Sequence, residues 1–345
     1  MTTTNRDLTN SDDGALNRPG EPASTAHKRW WSPRTFGERY LLAGVWVIIS
    51  AFFAISRPAS FLQAGTIHSI FSSGDVYVFL GLAALITSVV GELDLSVAFI
   101  AGLSATIVPV LVSQNGLDVW TASLIALIAA VLAGLVNAVI VVVIRVDSLI
   151  ATLGTGTVFL GIANGISNNN PVGGLSPGFA LVATYDVLGL PVAFWYGVIL
   201  AAAITYLLAF TPLGRHIAFV GSNREVARLA GIRVNRIRFG TYLFAGLIAG
   251  IGGILLSAQL GGFQAAAATT YLLPTFAILF LSAAVVRPGR FHPMGVLIAA
   301  YFISTGTLGL QLFGLSYWTA QVFYGCALVV AVALVTLVRR KTTSA

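Results

Sequence analysis

The 345-residue chain is 57% hydrophobic and only 9% charged, and its mean hydropathy is +0.89. A water-soluble domain cannot bury so much apolar surface, so the composition excludes a soluble enzyme, a disordered protein and a secreted disulfide scaffold. The single cysteine, Cys326, has no partner for an internal disulfide. The net charge of +7 is compatible with nucleic-acid binding, but the positions of the charges argue against that role.

Apolar runs long enough to cross a membrane alternate with short breaks along the chain. They predict an all-α, polytopic membrane protein with about ten transmembrane helices. The predicted spans are 40–56, 68–91, 95–113, 119–144, 149–166, 188–211, 239–258, 270–286, 292–312 and 318–338. Residues 1–39 are predicted to form a disordered cytoplasmic tail and 339–345 a second cytoplasmic tail, with the transmembrane domain, 40–338, between them.

The basic residues fall on one side of this arrangement. With ten spans, 18 of the 19 lysines and arginines lie in the terminal tails or in breaks that face the same side, and only Arg57 lies opposite. Because positively charged loops stay in the cytoplasm, both termini are predicted to be cytoplasmic. Topology thereby explains the basic charge, and no nucleic-acid partner is expected.

The sequence lacks the motifs of common enzyme chemistry. It has no GxxxxGK[ST] phosphate loop, no HExxH and no paired CxxC, so no catalytic residue, metal or cofactor is expected on this chain. GLSPG at 174–178 matches the nucleophile pattern GxSxG, but it falls in an external loop and is interpreted as chance. His216 and His292 lie at loop edges and are interpreted as interfacial or capping residues.

An acidic segment, GELDLS at 91–96, separates two apolar stretches near their predicted cytoplasmic ends. A carboxylate at the bilayer centre costs roughly 3 kcal/mol or more, so it usually faces water, protein or a functional pathway. Two interpretations of Glu92 and Asp94 stay open. Either both lie at headgroup depth, with Asp94 capping the next helix through the N–H of Ser96 or Val97, or they form a gate or coupling element.

The longest basic break, 214–238, contains the pattern of a short helix. Ser222 and Glu225 match an S-x-x-E capping box, and Gly231 is predicted to supply a left-handed stop. The pattern also predicts an apolar stripe and a second face with two aligned arginines: Val226, Leu229 and Ala230, and Arg224 and Arg228. About two turns of helix are marginal alone in water, so the helix needs a docking partner, either anionic lipid or a groove on a cytoplasmic protein.

Small and polar residues occur inside several predicted spans. The chain has 36 glycines, and GLVNA at 134–138 and GLIAGIGG at 246–253 provide small residues at four-residue spacing, which permits close helix contact. Asn137 and Asn164 are polar groups within spans. They either form hydrogen bonds between helices or line a polar path for a hydroxyl-rich solute.

Three segments resemble, in order and spacing, those of the membrane permease subunits of bacterial ABC importers for ribose, xylose and related monosaccharides. GELDLS resembles that family's Gly-Gly-Ile-Asp-Leu-Ser segment, and DSLIATLGT at 147–155 resembles its Pro-Phe-Ile-Val-Thr-Leu-Gly-Thr segment. GSNREVARLAGI at 221–232 is similar to its cytoplasmic segment Gly-x-Asn-x-x-Ala-Ala-Arg-x-x-Gly-Ile. The resemblance covers roughly residues 65–335, and it is interrupted by Glu92 and Ala98, where the family has Gly, and by SAAVVRPGR at 282–290.

The resemblance implies the permease subunit of an ABC importer for a monosaccharide or related polyol, in the bacterial plasma (inner) membrane. Residues 40–338 would be the permease domain and 212–238 its coupling loop. The implied partners are cytoplasmic ATP-binding subunits that hold ATP and Mg, an extracytoplasmic solute-binding protein, a second permease copy or paralogue, and membrane lipid. This chain itself would bind no cofactor.

Residue chemistry and the resemblance together select the candidate residues, and those that match the family's cytoplasmic segment are Gly221, Asn223, Ala227, Arg228, Gly231 and Ile232. The coupling residues are Gly221, Ser222, Asn223, Arg224, Glu225, Ala227, Arg228, Leu229, Gly231 and Ile232. The candidates for a gate or pathway are Glu92, Asp94, Ser96, Asn137, Thr152, Thr155 and Asn164. The competing hypothesis is an ion-coupled secondary transporter of a small polar solute, which needs an ion or proton site in the membrane. The acids available for such a site are Asp75, Glu92 and Asp94.

Overall fold

The computed structural model describes residues 33–283 and 290–343 of the chain, and these are predominantly helical. The α-helices of this part, in chain order, are α1 Pro33–Ser56, α2 Pro58–Phe61, α3 Ala64–Val89, α4 Val97–Ser113, α5 Val119–Ala138, α6 Ser148–Ile166, α7 Pro177–Thr184, α8 Val192–Phe210, α9 Pro212–Ser222, α10 Arg224–Leu229, α11 Val234–Leu260, α12 Leu272–Ser282, α13 Pro293–Leu312 and α14 Trp318–Thr343. A π-helix, Val139–Val143, extends α5, and a 3-10 helix, Ala265–Tyr271, leads into α12.

Short strands occur in the connections at one end of the helices. β1, Val172–Gly173, pairs antiparallel with β4, Gly262–Phe263. β2, Asp186–Val187, forms a hairpin with β3, Leu190–Pro191, immediately before α8. The β1–β4 pair ties the connection after α6 to the connection after α11.

The apolar runs of the sequence form long helices, and the prediction of an all-α, polytopic membrane protein is confirmed. Within the described residues, seven helical segments are long and apolar enough to cross a membrane. They are Ala64–Val89, Val119–Val143, Ser148–Ile166, Val192–Phe210, Val234–Leu260, Ala265–Ser282 and Pro293–Leu312. Three shorter apolar helices, Leu42–Ser56, Val97–Ser113 and Trp318–Ala333, coincide with the remaining apolar stretches.

Several boundaries differ from the sequence-based ones. The predicted disordered tail extends to residue 39, but α1 begins at Pro33, whose fixed φ and missing N–H suit the first position of a helix. The predicted C-terminal tail begins at residue 339, but α14 continues to Thr343. Residues 1–32 of the first tail and 344–345 of the second lie outside the described residues, as does 284–289 within the SAAVVRPGR segment.

The core lies where α3, α4, α5 and α11 pack together, and small residues set the distance between α5 and α11. A Cβ on Gly134 would lie 2.5 Å from the carbonyl oxygen of Tyr242, and a Cβ on Gly246 would lie 2.6 Å from that of Ala130. A larger residue at either position would push the two helices apart. The close contact predicted from GLVNA and GLIAGIGG is therefore present, and it fixes α11 beside α5 up to the coupling loop.

Candidate coupling and gate site

The segment between α3 and α4 turns sharply and brings GELDLS against the coupling loop. Gly91 has a φ of 80°, in the left-handed region that favours glycine, and its N–H donates to the carbonyl of Ser88. The next residue, Glu92, donates its N–H to the carbonyl of Thr87 at 3.1 Å. These bonds close the end of α3 and leave the Glu92 side chain beside the first turns of α10 and α11.

Glu92 is only 3% exposed, and two arginines neutralise its carboxylate. Arg238, in α11, places Nη2 2.5 Å and Nε 2.7 Å from Glu92 Oε1. Arg224, the first residue of α10, places Nη2 2.8 Å from the same oxygen. Arg224 also donates to the carbonyls of Val90 and Gly91, at 3.2 and 3.0 Å. A buried carboxylate is tolerated here because two guanidinium groups replace its lost hydration.

The coupling loop folds into two helices where the sequence predicts one. Ser222 is the last residue of α9, and the N-cap of α10 is Asn223, whose Oδ1 accepts the N–H groups of Glu225 and Val226 at 3.0 and 3.1 Å. The predicted Ser222 capping box is therefore wrong. The physical reason is that the chain becomes extended at Asn223 (φ −156°, ψ 108°), so the asparagine side chain and not the serine faces the free N–H groups.

Other residues of the 221–232 segment shape this loop. A Cβ on Gly221 would overlap the carbonyl oxygen of Val89, so glycine is needed where α9 meets the end of α3. Ala227 is fully buried in a small apolar cluster. The other buried members of that cluster are Val90, Ile217, Val220 and Val234. Gly231 has a φ of 78° and ends α10, which confirms the predicted left-handed stop.

The opposite side of α10 is open. Leu229 is 82% exposed and Val226 is 46% exposed, and Ala230 is exposed as well. The predicted apolar stripe is thus present and uncovered in the single chain. Arg224 and Arg228 lie one turn apart on α10, but their surroundings differ. Arg228 is exposed and has no ion pair within the described residues, whereas Arg224 pairs with the buried carboxylate of Glu92.

A chain of hydrogen bonds, here called the polar cluster, joins Asp94, Ser96, Asn137, Thr152 and Thr155. Ser96 donates its N–H and its hydroxyl to Asp94 Oδ1 at 2.9 and 2.6 Å. The predicted bond from the Ser96 N–H is present, but the N-cap of α4 is Ser96 and not Asp94. Asn137 Nδ2 donates to Ser96 Oγ at 2.7 Å, and Thr155 Oγ1 donates to Asn137 Oδ1 at 2.5 Å. The cluster therefore fixes the 91–96 segment to both α5 and α6.

The start of α6 completes the cluster. Thr152 Oγ1 accepts the N–H of Leu95 at 3.0 Å and donates to the carbonyl of Ser148 at 2.7 Å. Ser148 Oγ accepts the N–H of Leu93 at 3.4 Å. Asp147 caps α6 by accepting the N–H groups that follow it, at 3.0 and 3.3 Å. The GELDLS and DSLIATLGT segments, far apart in sequence, thus build one site.

Asp94 is the acid of the cluster, and it is only 1% exposed. Burial raises the pKa of its carboxyl to about 6, and the two hydrogen bonds from Ser96 oppose that rise. These two hydrogen bonds also hold Ser96 in place beside the carboxyl group.

Asn164 is the gate candidate that the structure does not bring to this site. It lies near the far end of α6 and is half-buried, and its backbone carbonyl accepts the N–H of Asn169 at 2.8 Å. Conversely, sequence reasoning missed Arg238 and Ser148 as partners of the acidic segment. The sequence contains a signal for Arg238. This arginine belongs to the basic break 214–238, and Glu92 is an acid predicted to lie at the same, cytoplasmic end of the spans.

Residues interpreted as unrelated to catalysis have structural partners. Ser176 of GLSPG accepts the N–H of Phe179 at 3.3 Å and caps α7, so it is a helix cap. His292 Nδ1 accepts the N–H of Met294 at 3.2 Å at the start of α13, which confirms the capping interpretation. Among the described residues, no group of three His, Cys, Asp or Glu side chains is placed to hold a metal ion.

Comparison with known proteins identifies the family. A family described as "Branched-chain amino acid transport system / permease component" matches residues 66–332. The chain is 31% identical over 298 residues to the ribose import permease protein RbsC of Escherichia coli, covering 85% of this chain and 89% of the relative. It is 28% identical over 320 residues to the D-allose transport system permease protein AlsC of the same species. This alignment covers 92% of this chain and 98% of the relative.

A third relative has a different named solute. The chain is 26% identical over 270 residues to the autoinducer 2 import system permease protein LsrC of Salmonella paratyphi B, covering 78% of each chain. No solved structure showed significant similarity to this chain.

These findings support the permease interpretation over the ion-coupled alternative. Glu92 is paired with two arginines, whereas Asp94 and Asp75, in α3, each accept hydrogen bonds at Oδ1, from Ser96 and Tyr301, and keep a buried Oδ2 without a hydrogen-bond partner. The family match spans most of the chain and includes both the coupling loop and the polar cluster. This multi-pass membrane protein therefore belongs to the family of transport-system permease components.

Proposed function

We propose that this chain is the membrane subunit of an ABC importer that carries a monosaccharide or a related polyol across the bacterial inner membrane. The sugar class is supported by relatives named for ribose and D-allose. The family description names branched-chain amino acids and one relative is named for autoinducer 2, so family membership alone leaves the solute open. A small solute rich in hydroxyl groups is common to the ribose and allose relatives.

The proposed topology has ten spans and both termini in the cytoplasm. Three shorter apolar helices occupy the stretches that complete the count of ten. Under this topology 18 of the 19 basic residues face the cytoplasm, as the positive-inside rule requires. The coupling loop, the Glu92 ion pairs and the polar cluster then all lie at the cytoplasmic end of the bundle.

The proposed partner of the coupling loop is a cytoplasmic ATP-binding subunit. One observation carries this proposal: Leu229 is 82% exposed on a six-residue helix whose opposite side is fixed by Ala227 and Arg224. A short helix with a rigid base and an apolar outer face suits insertion into a groove on a protein. ATP and Mg²⁺ would be held by that partner, since the sequence of this chain has no phosphate loop.

The same contacts provide a route from the ATPase to the membrane spans. A displacement of α10 acts on Glu92 through Arg224, and Glu92 belongs to the segment that the polar cluster fixes to α5 and α6. Only 33% of the α6 span is buried in the single chain. We assign its open face to a second permease copy and the solute path between the two copies, which alternating access would open toward a docked solute-binding protein.

The docking proposal is tested by Leu229→Glu, with Leu62→Glu as the control because Leu62 is also exposed, at 57%, but lies at the other end of the bundle. Each variant is co-expressed with a candidate ATP-binding subunit from the same organism, and the bound subunit is measured after purification of the permease. We expect Leu229→Glu to lose at least about tenfold of the bound ATPase, since a charge would have to be buried in an apolar groove. Equal recovery with both variants would refute the docking role.

A further inference from the structure

A groove that lies apart from Glu92 and the polar cluster runs between the end of α5 and the start of α11, beside the last residues of the coupling loop. Its volume is about 600 Å³. Its walls include three polar side chains near the loop ends of the two helices and three apolar side chains: Arg145, Asn235 and Arg236, and Val143, Phe239 and Leu243. The groove therefore offers hydrogen-bond donors next to an apolar surface, as an amphiphilic ligand requires.

The backbone keeps this groove open. Gly240 lies in its wall, and no atom lies within 4 Å of the position that a Cβ on Gly240 would occupy. On the facing wall, α5 ends in the π-helix Val139–Val143, a rare form that is frequent at functional sites. Arg145 follows with a φ of 71°, which is uncommon for a residue other than glycine.

The charge of the groove is positive and uncompensated. Arg145 and Arg236 are both exposed, and neither has an ion pair or a hydrogen bond to its side chain within the described part of the chain. None of the residues that line the groove is acidic. Arg224 and Arg238 differ from this pair, because Glu92 neutralises both.

An apolar stripe continues from the groove along α5 toward the middle of the membrane. Its exposed members follow helical spacing and are Leu132 at 52%, Val136 at 43%, Val139 at 37% and Val143 at 64%. A ligand with its anionic group between the two arginines would lay a hydrocarbon chain along this stripe.

We propose that this groove is a binding site for an anionic phospholipid of the cytoplasmic leaflet. Arg145 and Arg236 hold the headgroup phosphate, Asn235 adds a neutral hydrogen bond, and an acyl chain lies along the α5 stripe. Guanidinium groups form strong charge-assisted hydrogen bonds with phosphate, and basic pockets between transmembrane helices on the cytoplasmic side suit anionic headgroups. The inference depends on the proposed membrane orientation, and it is independent of ATPase docking and of the solute.

The experiment uses the purified full-length chain in detergent with equal amounts of phosphatidylglycerol and phosphatidylethanolamine that carry identical acyl chains. Native mass spectrometry counts the lipids retained. We expect the unaltered protein to retain phosphatidylglycerol preferentially. The double variant Arg145→Gln/Arg236→Gln should lower that preference on the order of tenfold.

A matched control, Arg215→Gln/Arg233→Gln, removes two exposed arginines at the same end of the bundle that do not line the groove, and it should keep the preference. Gly240→Leu, which fills the groove and leaves every charge in place, should lower phosphatidylglycerol retention. Inorganic phosphate should not displace the lipid, because it cannot occupy the apolar stripe. The proposal is overturned if the unaltered protein shows no preference, if the control loses as much as the groove variant, or if phosphate displaces the lipid.

Discussion

Nη2 of Arg224 lies 2.8 Å from Oε1 of Glu92, so the first residue of α10 is tied directly to the segment that precedes α4. Arg238 contacts the same oxygen from α11. One carboxylate thus joins three elements: the end of α3, the start of α10 and the first turns of α11. This arrangement links the surface proposed for the ATPase to the polar cluster, because Glu92 and Asp94 belong to one short segment.

Removing the Glu92 charge should destabilise the chain strongly. Glu92→Gln leaves the side chain of Arg238, which is only 13% exposed, without its counter-ion, and we expect a loss of about 3 kcal/mol in the free energy of unfolding. Arg224→Gln should cost less, about 0.5 kcal/mol, since the Arg224 side chain is 41% exposed and screened by solvent. Thermal unfolding of the purified variants measures both effects.

Arg228→Gln is the control for the ion pairs, because Arg228 lies on the same short helix but has no ion pair within the described residues. It should unfold at the temperature of the unaltered chain. A melting temperature for Glu92→Gln as high as that of Arg228→Gln would show that the ion pairs do not stabilise this site.

The start of α10 should depend on Asn223 and not on Ser222. Asn223→Ala removes the acceptor of two N–H groups and should destabilise the helix by about 1 kcal/mol, whereas Asn223→Asp should preserve it. Hydrogen exchange at residues 224–230 measures the change. Ser222→Ala is the matched control and should leave exchange unaltered. Faster exchange in Ser222→Ala than in Asn223→Ala would show instead that Ser222 caps α10, as the sequence predicts.

Substitution of Asn137, at the centre of the polar cluster, should lower the stability of the chain. Asn137 is fully buried and bonded to Ser96 and Thr155, so Asn137→Ala leaves both hydroxyls without that partner and should cost about 1–3 kcal/mol. Asn164→Ala, at the far end of α6, should change stability by less than about 0.5 kcal/mol. Thermal unfolding compares the two, and equal losses would remove the reason for treating the cluster as a distinct site.

Much of the fold was predictable because the spans are long, continuous apolar runs. The helices of α3, α5 and α11 coincide with predicted spans, and the small residues of GLVNA and GLIAGIGG indicate a close contact that the structure contains. Helix ends were less predictable. α11 begins at Val234, and Arg236 and Arg238, which hydropathy assigns to a loop, are helical because the apolar cluster beneath the coupling loop holds Val234.

The candidate site was predictable in its residues and not in its contacts. Residue chemistry selects Glu92 and Asn137, and the resembling segments contain Ser96 and Thr152. Pairing Glu92 with Arg238 requires knowledge of how α11 packs, since the two residues are 146 positions apart. The predicted N-cap of α10 was wrong for a local reason. The pattern S-x-x-E fits Ser222, but Ser222 ends α9 and the chain is extended at Asn223, which places the Asn223 side chain at the start of α10.

The central claim is that work from a separate ATPase reaches the membrane spans through α10. The most direct measurement is uptake of radiolabelled ribose or allose into proteoliposomes that contain the full chain, with or without a candidate ATP-binding subunit and a candidate solute-binding protein from the same organism. We expect uphill accumulation only when ATP and both partners are present, and we expect Leu229→Glu to abolish it. Accumulation by this chain alone, abolished by an uncoupler and indifferent to ATP, would contradict it.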